Sequence, residues 1–125
     1  MTEVTYRSNP RGEVLPYAAS ATAGGIVWLC GQIPTHEDGS VPESMHDQVT
    51  AALANLERAL VAAQSSLRHI VKLTVFLADL GEFDDYNSAY CDYFGAVALP
   101  PRTTVEVARF RGEKRIEIDA VAVVA

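Results

Sequence analysis

Few residues in this chain have the type and spacing to do chemistry. Imidazole is the commonest base and metal ligand near neutral pH, so the three histidines are weighed first. His36 sits with Glu37 and Asp38 in a glycine-containing loop, His46 falls in the first turn of a helical stretch, and His69 precedes a strand-like run. No two stand at ligand spacing, and no metal is expected. The sequence has no G-x-S-x-G elbow, P-loop or dinucleotide fingerprint, and Gly24 and Gly25 lead into an apolar run instead of opening a helix. No cofactor is expected. Cys30 and Cys91 form no C-x-x-C pair, which argues against a disulfide framework or structural zinc and for a reducing, cytoplasmic location.

A smaller constellation remains: Tyr17, the Cys30–Gly31 strand end, Asn87, Arg102 and Asp119. Arg102 follows Pro100 and Pro101, which fix its backbone at the mouth of a strand. There its guanidinium can present a two-pronged fork to a carboxylate. A salt bridge at the surface or an interface is the competing reading of the same residue.

The elements that must position these groups follow from periodicity. Strands are expected at Glu3–Arg7, Tyr17–Ala21 and Gly25–Cys30, the last apolar on both faces as if covered on two sides. Ser40, Pro42 and Glu43 suggest a capped helix start, and apolar residues recur at helical spacing from Glu43 to about Gln64. Val71–Leu77 alternates as a strand, with Val71, Leu73, Val75 and Leu77 on one side. A second helix runs from about Gly81 to Phe94, with Phe83, Tyr86, Tyr90, Tyr93 and Phe94 inward and Gly95 as a stop. Arg102–Phe110 and Arg115–Val124 read as a closing hairpin.

The resulting order places two helices on one face of a mixed sheet. In the last strand Ile116, Ile118, Ala120 and Ala122 point one way, and Glu117, Asp119, Val121 and Val123 the other. A face that begins with carboxylates and turns apolar suits a subunit interface with a polar pocket at its edge, so a homo-oligomer is expected.

At 125 residues the chain fits one domain, 1–125, and 49% hydrophobic against 21% charged residues supply a core and exclude intrinsic disorder. No apolar run reaches the roughly 18 to 20 residues of a membrane helix, and the N-terminus lacks a signal-peptide pattern, so no membrane partner or export is expected. A formal net charge of −6 disfavours nucleic acid.

Four segments sharpen the reading. CGQIP at Cys30–Pro34, VKLTVFLADLGEFDDYNSAYCDYF at Val71–Phe94, PPRTTVEVARF at Pro100–Phe110 and IEIDAVA at Ile116–Ala122 together resemble the Rid (YjgF) family, also labelled endoribonuclease L-PSP. The resemblance implies a chorismate mutase-like α+β fold with a mixed six-stranded sheet and two helices on one face. It also implies a homotrimer whose sheets form a central barrel, with clefts between subunits. The implied activity is cofactor-independent hydrolysis of reactive 2-enamine and 2-imine acids, such as 2-aminoacrylate, to 2-keto acids and ammonia.

By the same resemblance Arg102 binds the substrate carboxylate, Tyr17 lines the cleft, the Gly31 backbone helps hold the substrate, and Asn87 keeps the family's asparagine. Asp119 stands where deaminating members usually carry a glutamate thought to position water. Cys30 replaces a serine and Thr104 a cysteine, so the substrate-facing wall differs. A deaminase or hydrolase for a larger unsaturated amine, and a non-catalytic trimer that binds small carboxylates, are the other readings these residues allow.

Overall fold

The computed structural model describes residues 2–125. Its elements are β1 (Thr5–Arg7), β2 (Ser20–Ala23), β3 (Ile26–Leu29), α1 (Met45–Ala62), β4 (Ile70–Leu77), α2 (Phe83–Phe94), β5 (Arg102–Glu106) and β6 (Ile116–Val123). Short 3-10 turns at Leu67–His69 and Leu80–Glu82 lead into β4 and α2. The six strands form one sheet in the order β1-β2-β3-β6-β4-β5. Every pairing is antiparallel except β4 with β5, which α2 joins as a parallel crossover. This is the α+β architecture expected.

Gly24 and Gly25, at φ +57° and +79°, form the two-residue turn between β2 and β3, where Ala23 pairs with Ile26. Positive φ at both central positions matches the right-handed twist of the flanking strands and is cheap only for residues such as glycine. The turn shifts β2 three residues later than the Tyr17–Ala21 expectation and leaves Tyr17 in the loop before it. α1 starts at Met45, capped by the Ser44 hydroxyl accepting from the Asp47 amide at 3.1 Å; Ser40 instead closes a turn on Asp38.

Two further expectations are corrected. β5 and β6 are not a hairpin: β4 lies between them, because α2 carries the chain from β4 across to its outer neighbour. The connection 107–115 passes over the end of β4, where the Val107 amide donates to the Leu77 carbonyl and the Ala78 amide to the Arg115 carbonyl. Val71 is exposed, because a bulge between Ile70 and Lys72 makes Ile70 the inward residue of that end.

The core fills the space between the helices and one sheet face. Leu53, Leu56 and Leu60 of α1 and Tyr86, Tyr90 and Phe94 of α2 pack with Leu73, Val75, Ile116 and Ile118. Gln48 is buried among them, and its polar atoms are occupied. Its amide donates to the Pro42 carbonyl and its Oε1 accepts from the Arg115 amide, both below 3 Å. The other sheet face carries no helix. In the single chain Ile26 and Trp28 lie exposed there with Val105 and Val123, and Trp28 is 45% accessible.

Candidate functional site

Arg102 opens β5 directly after two prolines, and the Leu73 amide donates to the Pro101 carbonyl at 3.0 Å, locking the strand mouth to β4. The register pairs Arg102 with inward-facing Leu73, which sends the guanidinium toward α2. Aromatic residues spaced along that helix receive it. The Arg102 Cζ lies 4.6 Å from the Tyr90 ring centroid, 5.0 Å from Tyr86 and 5.7 Å from Phe83. Asn87, between the two tyrosines, accepts a hydrogen bond from Nη2 through its Oδ1.

The other arm of the fork, Nη1, is buried without a protein acceptor, and the Tyr90 hydroxyl close by is also unpartnered. Burial pushes the Tyr90 phenol up to about 12 against the opposing pull of Arg102, and raises Tyr86 in the same way. Both rings therefore stay neutral around a permanent cation. The Tyr86 hydroxyl shares a 2.8 Å hydrogen bond with Thr104 Oγ1. A cation fixed in orientation, with a donor left over, can take a carboxylate or similar planar anion.

A second group of candidates assembles at the opposite side of the sheet. Tyr17, Cys30 and Gly31 line a cleft of about 450 Å³ together with Glu117. The chain past β3 is held against β6 by reciprocal backbone bonds between Gln32 and Ile118, at 2.7 and 3.0 Å. This places Gly31 directly under the Glu117 carboxylate: a Cβ there would lie 2.8 Å from Glu117 Cδ. Burial raises the Glu117 carboxyl, Lys114 draws it back, and Asp119 adds to the rise. The Cys30 thiol is raised first by burial and further by Glu117, which leaves it protonated and a weak nucleophile at neutral pH.

Asp119 pairs with Thr74 on the face that carries no helix. Burial raises its carboxyl and the Thr74 hydroxyl partly offsets that. Arg102 and Asp119 thus address opposite faces of one sheet. Tyr17 lies next to β2 and Arg102 starts β5, four strand spacings or about 19 Å apart along the sheet order. The chain brings Arg102, Asn87 and Thr104 together at the β5 edge and Tyr17, Cys30 and Gly31 together where the chain past β3 runs beside β6, and the cleft of the second set is not lined by the first.

Two participants were missing from the sequence-derived constellation. Glu117 alternates onto the same face as Asp119, but only Gly31 beneath it marks its place in the cleft. The Tyr86 and Tyr90 cage has the spacing of an ordinary core face, and Arg102 alone distinguishes it. The histidines stay apart: His46 lies near Asp47 and Asp92 at the surface, and His69 bonds to Ser66. Among the described residues no three His, Cys, Asp or Glu side chains cluster to hold a metal, and no helix is long and apolar enough to cross a membrane.

Known proteins resemble this chain in sequence and fold. The family model described as "Endoribonuclease L-PSP" matches residues 9–124. A RutC family protein of Pyrococcus horikoshii is 36% identical over 124 residues, covering 98% of both chains. A 2-iminobutanoate/2-iminopropanoate deaminase of Escherichia coli is 33% identical over 126 residues, again covering 98% of each. The crystal structure of E. coli TdcF with bound serine superposes with a TM-score of 0.85 at 35% identity, over 97% of this chain and 96% of that one. With nearly its whole length matched in sequence and fold, the chain belongs to the endoribonuclease L-PSP family, whose members also carry the Rid and YjgF names.

Proposed function

We propose that this chain is a cofactor-independent hydrolytic deaminase of small 2-imino and 2-enamino acids, working in clefts between the subunits of a homotrimer. The observation that carries the reading is the Arg102 guanidinium, caged by three aromatic rings, oriented by Asn87 and left with a buried Nη1 that no protein acceptor satisfies. The guanidinium is only partly buried as a whole, so a substrate carboxylate meets its accessible side, and a small shift that uncovers Nη1 completes the contact in a fixed plane. The 2-iminobutanoate/2-iminopropanoate deaminase relative supports the substrate class.

In this reading a 2-enamino acid first tautomerises, a proton leaving nitrogen as one is added at C3, and water adds across the C=N bond of the imine. Its oxygen bonds to C2 and one proton passes to nitrogen, giving a carbinolamine; the hydroxyl proton then passes to nitrogen as the C–N bond breaks, and ammonia leaves behind a 2-keto acid. Asp119 positions the water, and Glu117, poised above Gly31, is the second carboxylate able to exchange a proton with it. Tyr17 and Gly31 form the facing wall, with Cys30 and Thr104 bordering the substrate side chain. Assembly is part of the proposal, because Arg102 and Asp119 address opposite faces of one sheet and the cleft of Tyr17 and Gly31 does not include Arg102. The exposed Ile26, Trp28 and Val123 supply an apolar face for a neighbouring subunit.

The test is keto-acid release from the imine formed by a pyridoxal-phosphate threonine dehydratase. The purified protein accelerates it, and Arg102→Ala lowers the acceleration about tenfold to a hundredfold, the worth of a hydrogen bond to a charged group. Arg102→Lys does not restore it, because an ammonium cannot form the two-pronged contact. No acceleration, or full activity in Arg102→Ala, overturns the reading.

A further inference from the structure

The cleft holding Tyr17 and Gly31 contains a second cationic centre that the proposed reaction does not use. Arg11 Nη2 and Arg58 Nη1 both donate to one oxygen, Asn55 Oδ1, at 2.8 and 2.7 Å. That oxygen cannot turn away, because the Asn55 amide nitrogen donates to the Ile33 and Thr35 carbonyls at 2.9 and 2.8 Å. Arg11 is fixed as well. Its Nη1 donates to the Thr35 carbonyl, and its backbone amide is held by Asn9 Oδ1 at 2.8 Å.

Neither arginine has a carboxylate partner among the described residues, where the arginine ion pair within 4.0 Å is Arg115 with Glu82. Two like charges sharing one neutral acceptor repel each other, and each guanidinium keeps further donors free. Around them the cleft is lined by three cations, Arg11, Arg58 and Lys114, against two carboxylates, Glu13 and Glu117, in a chain of net charge −6. Glu117 stands over Gly31, and Arg11, Asn55 and Arg58 also line an adjoining hollow whose one carboxylate is Asp47, so the pair is approachable from two sides.

We propose that Arg11 and Arg58, aligned by Asn55, form an oxyanion site in this cleft, separate from Arg102, that takes a phosphate or a carboxylate group. The anion accepts from both guanidinium groups at once and relieves their mutual repulsion. Two sources fit that chemistry: a free inorganic anion, or the second anionic group of a ligand lying in the cleft.

Backbone-amide NMR titration separates them and needs no catalytic turnover. Inorganic phosphate shifts the amides of Arg11 and Asn55 saturably, and Arg58→Gln, an exposed substitution that leaves the core intact, weakens binding about tenfold or more. Arg102→Ala leaves the phosphate titration unchanged. If the site serves a ligand's second anionic group, 2-oxoglutarate binds more tightly than 2-oxobutanoate, and the advantage disappears in Arg58→Gln. If it serves a free anion, phosphate alone shows the Arg58 dependence. Absence of saturation by any of the three, equal binding in Arg58→Gln, or loss of phosphate binding in Arg102→Ala overturns the proposal. Because binding is read directly, a chain inactive as a deaminase can still hold the anion, and an active one can fail to.

Discussion

Gly31→Ala gives a searching test of the cleft. The backbone of Gly31 lies outside the left-handed region, so alanine fits its conformation, and the only obstacle is the Glu117 side chain. The new methyl would sit 2.8 Å from Glu117 Cδ and 3.0 Å from Cγ, where carbon atoms normally approach to about 3.5–4.0 Å. Relief requires the carboxylate to move by about 1 Å, at roughly 0.5–1.5 kcal/mol if it leaves its preferred rotamer. Tm therefore falls by only a few degrees, at about 3–5 °C per kcal/mol for a chain this size. A displacement of that size in a reacting constellation costs on the order of a hundredfold in rate.

The assay is keto-acid release alongside thermal unfolding, for Gly31→Ala, Glu117→Ala and the double variant. If the methyl acts by moving Glu117, adding it to Glu117→Ala changes the rate little, and the two effects are strongly non-additive. A further hundredfold loss in the double variant would refute this, showing that the methyl obstructs the substrate itself. Full activity in Gly31→Ala would remove Glu117 from the mechanism.

Asp119→Asn separates stability from activity. Burial raises the native carboxyl, so the folded state holds this proton more tightly than the unfolded chain, and stability is lost as pH climbs from the ordinary carboxylate range through the native value. Asp119→Asn therefore melts above the native protein at pH 7 while losing deaminase activity, and the gap in Tm closes in acid, where the native carboxyl is protonated in both states. On the uncovered face, Trp28 leaves 45% of its surface accessible, and covering it contributes about 2–3 kcal/mol per subunit. Under the proposed homotrimer, Trp28→Glu should then yield a folded species that sediments as a monomer, and a trimer retained by the variant would count against that face as the interface.

The helices and β6 were legible because their patterns are redundant: Leu53, Leu56 and Leu60 repeat at helical spacing, and Ile116 to Ala122 alternate without interruption. Strand order was less so. Arg102–Glu106 and Ile116–Val123 are adjacent in sequence, with a turn-like connection, yet the pairing is decided by where α2 returns the chain, a tertiary fact that leaves no local mark. Val71 failed for a related reason, since a one-residue bulge reverses facing without changing composition. Arg102 was legible through its prolines. Its aromatic cage was not, because Tyr86 and Tyr90 would be buried at those positions with or without a cation.

The opposed facing of Arg102 and Asp119 across one sheet has a genetic consequence. Under the proposed assembly each cleft inherits its guanidinium from one subunit and its carboxylate from the next, so two individually dead chains carry complementary halves. Mixing Arg102→Ala with Asp119→Ala subunits at equal amounts, and refolding them together, should restore about a quarter of the clefts in a randomly mixed cyclic trimer. Neither variant recovers alone at any concentration. A lesion at one of these positions is therefore a property of the assembly's neighbourhoods and not of the chain that carries it.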